Sequence, residues 1–119
     1  MITKLADNEI FVFGSNLAGV HGAGAARFAA KNFGAKRGVG EGLTGRCYAI
    51  PTKDYKIKTR PLPEIRESVA NFMAFAKRYP QCRFMVTPIG CGLAGYTPEQ
   101  IAPMFAEAPV NVILPLEFL

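Results

Sequence analysis

Short apolar runs alternate along this chain with segments of helical periodicity. The apolar runs predict four buried strands, at residues 9–14, 46–52, 83–89 and 110–115. Residues 22–33 are rich in alanine and end at Gly34, a residue type that commonly terminates helices. Residues 63–79 carry apolar side chains three and four positions apart and are followed by Pro80. Both of these segments are predicted helices.

A third helix is predicted from Pro98 to about Glu107. Thr97, Pro98 and Gln100 stand at its start in the order of a capping box with proline in the first turn. Residues 35–45 are rich in glycine and basic residues, and residues 53–60 are highly charged, so both are predicted to be irregular connections. Strands alternating with helices predict an α/β domain over residues 1–119 with a mainly parallel sheet.

Composition places limits on the class of protein. A chain of 119 residues that is 50% hydrophobic is long enough for one core. Its apolar runs are too short to span a bilayer, and its first residues lack the apolar core of a signal peptide, which predicts a cytoplasmic protein without membrane partners. Three widely spaced cysteines and one histidine indicate neither a disulfide framework nor a zinc site, so no metal or cofactor is expected.

The net charge of +5 is concentrated in the first half of the chain. Residues 1–60 contain ten Lys and Arg against four Asp and Glu, whereas residues 61–119 contain four against five. This distribution favours an anionic partner for the first half. Nucleic-acid binding is one such alternative, but Tyr55 is the only aromatic residue within the basic segment 53–60. Because single-strand binders stack bases on aromatic side chains, nucleic acid is a disfavoured partner.

The segment 11–27 reads F-V-F-G-S-N-L-A-G-V-H-G-A-G-A-A-R and passes from a strand through a glycine loop into a helix. Free backbone N–H groups and the positive end of the helix dipole make such a junction a typical phosphate site. Turn geometry alone can account for Gly14 and Gly19, whereas Gly22 and Gly24 indicate close approach of the backbone to a phosphate. The chemistry of the protein is therefore predicted to lie here.

A second glycine loop, residues 90–96 (G-C-G-L-A-G-Y), follows the third predicted strand. The carboxyl ends of parallel strands share one edge of a sheet, so two such loops are expected to border a single crevice. A diphosphate between the loops is the natural ligand.

These motifs together resemble a macrodomain, the ADP-ribose-binding α/β/α module. The resemblance rests on G-A-G-A at residues 22–25, on P-I-G-C-G-L at residues 88–93, and on a tyrosine strand that ends in Thr52 and Lys53. It extends over residues 11–115 and is greatest to the subgroup that contains terminal ADP-ribose glycohydrolase and to small macrodomain-like proteins of bacteriophages. It implies a three-layer α/β/α macrodomain-like fold with a mainly parallel sheet.

The resemblance also implies a function. The partner would be an ADP-ribose-like small molecule or an ADP-ribosylated macromolecule, and the activity would be binding of ADP-ribose or a related nucleotide diphosphate derivative. In the glycohydrolase subgroup a lysine attacks the ribose and an aspartate in the second loop assists. The lysine matches Lys53, whereas Ala94 stands at the position of the aspartate. Binding is therefore preferred to the alternative, an ADP-ribosyl or ADP-ribose-phosphate hydrolase that uses Lys53.

The residues predicted to bind ligand come from the two loops: Asn16, Gly22, Ala23, Gly24, Ala25, Gly90, Cys91, Gly92, Leu93, Ala94, Gly95 and Tyr96. Asn16 either closes its loop as an Asx-turn or hydrogen-bonds a ribose hydroxyl. Tyr96 either stacks on a ribose or base or packs over the helix start. Lys53 and His21 are the candidate catalytic residues, as nucleophile and general base, with surface positions as the alternative. Cys91 is alternatively a packing residue between two glycines.

Overall fold

A five-stranded sheet forms the centre of the structure, which a computed structural model describes for residues 2–119. Its strands are β1 (Glu9–Asn16), β2 (Gly42–Thr44), β3 (Cys47–Lys53), β4 (Arg83–Val86) and β5 (Val112–Ile113). The spatial order is β2-β3-β1-β4-β5, and every neighbouring pair is parallel except β2 with β3. The predicted α/β class with a mostly parallel sheet is confirmed.

Three α-helices accompany the sheet within residues 2–119: α1 (Gly24–Phe33), α2 (Leu62–Arg78) and α3 (Pro98–Ile101). As the sequence predicts, α1 ends at Gly34, which has a left-handed backbone (φ 77°) and donates its N–H to the carbonyl of Ala29. The side chain of Gln100 accepts the N–H of Thr97 at 2.9 Å, the reciprocal bond of a capping box. None of the helices in this part of the chain is long and apolar enough to cross a membrane.

The third helix is shorter than predicted. Its α-helical part ends at Ile101, and residues 102–105 continue as a 3₁₀-helix. Pro103 explains the change, because it has no N–H to donate to the carbonyl four residues earlier and an α-helix would leave that carbonyl without a partner.

Alternate residues of the sheet pack against different helices. On one face, Val12 and Ile50 join a cluster built with α2, which contributes the fully buried Ile65, Val69 and Phe72. On the other face a smaller cluster is built with α1, and its buried members are Phe11, Phe13, Ala26, Ala29, Ala35, Cys47 and Ala49. The small alanines of α1 let this helix approach the strands closely. Both faces of the central strands are thereby buried, which explains their continuous apolar runs.

Two predictions about the edges of the sheet were wrong. Residues 35–45 were predicted to be irregular throughout, but β2 lies within them and pairs in antiparallel register with β3, with Leu43 opposite Tyr48. A three-residue edge strand that begins with a glycine has no hydrophobic alternation, so no pattern indicated it. The last strand, predicted at residues 110–115, is only Val112–Ile113. Val110 lies outside the sheet and is almost fully exposed.

Candidate functional site

A cavity of about 440 Å³ lies at the carboxyl ends of the three central strands. Its walls come from the end of β1 and the loop after it, the end of β3, the loop after β4, and the first turn of α1. The lining residues are Gly14, Ser15, Asn16, Val20, Gly22, Ala23, Gly24, Ala25, Ala26, Thr52, Lys53, Ile57, Thr87, Pro88, Ile89, Gly90, Gly92, Leu93 and Ala94. Residues of both predicted glycine loops therefore border one crevice.

The electrostatics of this cavity suit an anion. Lys53 is the only charged residue among its lining residues within the described chain, and no carboxylate lines it there. The first turn of α1 also opens into the cavity, and its N-cap residue, Ala23, has no side chain to accept the free N–H groups. The first turn contains no acidic residue either. A ligand with negative charge would satisfy both the N–H groups and the helix dipole.

Glycines on the two facing walls of the cavity leave the backbone there uncovered by side chains. A Cβ atom added at Gly22 or at Gly92 would meet no atom within 4 Å, so neither glycine is required by packing within the chain. Leu93 reaches across from the second loop, and its Cδ1 would lie 3.7 Å from a Cβ at Gly24. Because backbone N–H groups at Gly22 and Gly92 are unshielded by side chains, a ligand can approach both walls closely.

The first glycine loop is held in shape by the loop that precedes β2. A Cβ at Gly19 would lie 2.4 Å from the carbonyl carbon of Gly38, and a Cβ at Gly40 would lie 2.3 Å from the carbonyl oxygen of Asn16. The N–H of Gly38 donates to the carbonyl of Gly19 at 2.9 Å, and the hydroxyl of Ser15 donates to the carbonyl of Gly40. Gly19 therefore serves close packing between two loops as well as a turn (φ 70°).

Asn16 uses its amide to close the first loop. Its Nδ2 donates to the carbonyl of Val20 at 2.7 Å, and its Oδ1 accepts the N–H of Val20 at 3.0 Å. Of the two roles considered for Asn16, the structure contains the loop-closing one. Asn16 also lines the cavity.

Lys53 begins a closed hairpin rather than a free loop. Lys53 pairs with Thr59 through an antiparallel bridge, and the hydroxyl of Thr59 donates to the carbonyl of Ala94 at 3.0 Å. The hydroxyl of Tyr96 donates to the carbonyl of Arg60 at 2.6 Å. The segment 53–60, predicted to be an exposed irregular loop, is thus tied to the second glycine loop and holds Lys53 at the cavity.

Arg60 anchors the base of this hairpin. Its guanidinium donates to the carbonyl of Pro51 at 2.8 Å and to the hydroxyl of Ser68 at 3.0 Å, and it forms an ion pair with Glu64 at 3.5 Å. These contacts join the end of β3 to α2. Sequence reasoning did not single out Arg60, because no motif marks a contact between the end of a strand and the helix that follows it.

His21 lies outside the main cavity. It borders a second space of about 320 Å³ with Arg37, on the other side of the first loop. Its Nε2 is 3.0 Å from the carbonyl oxygen of Lys36; since a carbonyl can only accept, this nitrogen carries the proton. The ring also packs edge-on against Phe13, with 5.4 Å between the two ring centroids. These contacts place His21 between two loops, and it does not line the cavity that Lys53 lines.

Three residues predicted to bind ligand do not line the cavity: Cys91, Gly95 and Tyr96. Cys91 packs against the larger core cluster, and burial, with smaller contributions from Glu117 and Glu99, raises the pKa of its thiol. Gly95 has a left-handed backbone (φ 86°) and closes the turn of the second loop. Tyr96 also packs against the core, consistent with the packing role considered for it.

Sequence reasoning missed several lining residues, among them Ser15, Thr52, Thr87 and Ile57. The first three stand at or just beyond the ends of parallel strands, and that position is a signal which could have identified them. Ile57 carried no such signal, because it lies within a charged segment.

No protein-family model, curated protein or solved structure matches this chain. The cavity itself offers an anion the uncapped start of α1 and one lysine side chain.

Proposed function

We propose that this protein is a macrodomain-like module of three α/β/α layers that binds ADP-ribose or a related nucleotide diphosphate derivative. The observation that carries the proposal is the crevice itself. Two glycine-lined walls, the uncapped start of α1 and a single lysine enclose about 440 Å³, and no carboxylate lines this space within residues 2–119. A cavity of this size is typical of sites for small-molecule ligands.

The diphosphate would lie between residues 22–25 and residues 92–94, where Gly22 and Gly92 leave the backbone open. There the N–H groups at the start of α1 would donate to phosphate oxygens, with the helix dipole adding to the attraction. Lys53 would then stand beside the terminal ribose. In this arrangement one ligand would contact both glycine walls and the hairpin that carries Lys53.

Calorimetry with ADP-ribose tests the proposal. We expect binding by the unaltered protein, and a loss of affinity of at least tenfold in Gly92→Val, whose side chain would occupy space on one wall of the crevice. The matched control is Leu43→Ala, since Leu43 is exposed on β2 and does not line the cavity. Absence of heat at high concentrations of protein and ADP-ribose would refute the proposal, and so would equal affinities in the two variants.

A second candidate is hydrolysis of ADP-ribose from an acylated or protein-linked position, or of an ADP-ribose phosphate. It is favoured by the place of Lys53, which lines the cavity and forms neither of the two ion pairs found in the described part of the chain. With Ala94 in the second loop, no acidic side chain assists it there. Turnover that disappears in Lys53→Ala would establish this activity, and full activity in that variant would exclude the lysine mechanism.

A further inference from the structure

The hairpin that follows β3 is closed by Asp54. The N–H of Asp54 donates to the carbonyl of Lys58 at 2.8 Å, and the N–H of Ile57 donates to the carbonyl of Asp54 at 3.1 Å. The carboxylate of Asp54 in turn accepts the N–H groups of Lys56 at 2.8 Å and Lys58 at 3.0 Å. This is the pattern of a three-residue hairpin loop, a turn followed by one residue in the left-handed conformation.

Ile57 occupies the left-handed position of this hairpin, with φ 63°. It is the only residue other than glycine with a positive φ within residues 2–119. Glycine or asparagine is the usual residue at such a position, and a β-branched side chain there is strained. The turn therefore does not account for isoleucine; its hydrogen bonds use only the backbone of this residue.

Packing in the core does not account for Ile57 either. Its side chain is 45% exposed and belongs to neither buried cluster, yet the residue lines the cavity. Val20 and Leu93, from the first and second glycine loops, are also exposed apolar residues that line it, at 38% and 70% exposure. Each of the three loops thus places one aliphatic side chain at the cavity, partly in contact with solvent.

We propose that Ile57 is a specificity-determining residue which packs against the terminal sugar of the ligand at the Lys53 end of the cavity. The bridge between Lys53 and Thr59 fixes the hairpin beside Lys53, and the bond from Thr59 to Ala94 fixes it to the second loop. The hairpin thereby carries Ile57 to the group that lies beyond the diphosphate. The assignment rests on the proposed function, because it takes the diphosphate to lie between the glycine walls.

The test compares ADP-ribose with ADP, which lacks the terminal ribose, in four proteins. Ile57→Gly removes the side chain and relieves the backbone, whereas Ile57→Val keeps a branched side chain. Tyr55→Ser is the matched control, because Tyr55 lies in the same hairpin, is exposed and does not line the cavity. Calorimetry gives the affinities, and thermal denaturation gives the melting temperature of each variant.

We expect Ile57→Gly to bind ADP-ribose about fivefold more weakly. This factor corresponds to a side chain that buries roughly half of its apolar surface against the ligand. The variant should bind ADP as the unaltered protein does and melt at the same temperature or higher, since glycine removes the strain. Ile57→Val should stay within about twofold for ADP-ribose, and Tyr55→Ser should match the unaltered protein for both ligands.

Other results would overturn the assignment in distinguishable ways. If the unaltered protein binds ADP-ribose and Ile57→Gly binds it equally well, Ile57 does not contact the ligand. If Ile57→Gly weakens ADP and ADP-ribose by the same factor, the contact is not with the terminal sugar. A lower melting temperature in Ile57→Gly would mean that isoleucine serves folding. If the unaltered protein binds neither ligand, the proposed function itself fails, and this assignment fails with it.

Discussion

Gly40→Ala is the substitution that most directly tests how the first glycine loop is held. The added Cβ would lie 2.3 Å from the carbonyl oxygen of Asn16 and 2.8 Å from that of Leu17. Both neighbours are backbone atoms, which cannot move aside as the end of a flexible side chain can. The two loops must therefore separate, and the bond from Ser15 to the carbonyl of Gly40 is strained or lost with them.

The cost follows from overpacking at a tight contact. A methyl group added to a packed region lowers the free energy of unfolding by about 1–3 kcal/mol. Because the neighbours here are backbone atoms, we expect a loss at the upper end, about 3 kcal/mol. For a chain of this length that corresponds to a melting temperature lower by about 12 °C. Because Asn16 and Val20 line the cavity, affinity for ADP-ribose should fall as well.

Circular dichroism during heating measures the effect, with Gly22→Ala as the matched control. Gly22 lies in the same loop, lacks a positive φ and has no atom within 4 Å of an added Cβ. We expect Gly22→Ala to stay within about 0.5 kcal/mol of the unaltered protein. Equal melting temperatures for Gly40→Ala and Gly22→Ala would refute the close packing of the two loops.

Three further outcomes are expected. Phe72→Ala should lower the free energy of unfolding by about 4 kcal/mol in urea denaturation, because this fully buried ring contacts Tyr48, Phe84 and Phe105; a loss below about 1 kcal/mol would contradict its central place in the core. Asp54→Ala should melt at a lower temperature at pH 7. The backbone N–H of Lys58, then that of Lys56, lowers the pKa of Asp54 from 3.8, so this difference is present above pH 3.8 and disappears as the pH falls through the lowered pKa; a difference that persists at lower pH would contradict it. Burial raises the pKa of Cys47 to about 11, so at pH 8 a thiol reagent should label Cys47 in denaturant and not in the native protein; rapid native labelling would contradict the burial.

Elements with local signals could be predicted from the sequence. The alanines and terminal glycine of α1, the apolar spacing of α2 and the capping residues of α3 are properties of adjacent residues, and all three helices are present. The buried strands β1 and β3 were predicted for the same reason. By contrast, β2 has only three residues and no hydrophobic alternation, so no apolar pattern marks it. The early end of α3 depends on Pro103, which the capping pattern at the helix start does not reveal.

The candidate site likewise has a part that the sequence predicted and a part that it did not. Parallel topology alone predicted that the two glycine loops would meet at one edge, and residues of both loops line one cavity. The contacts that shape the cavity join residues distant in sequence, such as Gly40 with Asn16 and Thr59 with Ala94. No local sequence pattern predicts them. Ile57 was missed because it lies within a charged segment, and because isoleucine is not the residue that the usual turn pattern has at the left-handed position of a hairpin.

A crystal structure of this protein soaked with ADP-ribose is the most direct measurement of the proposed binding. We expect the diphosphate oxygens within hydrogen-bond distance of backbone N–H groups at residues 22–26 and 92–94, and the terminal ribose beside Lys53 and Ile57. Density for the ligand at another place, or an empty crevice at saturating ADP-ribose with the crevice open to solvent in the crystal, would contradict the proposal.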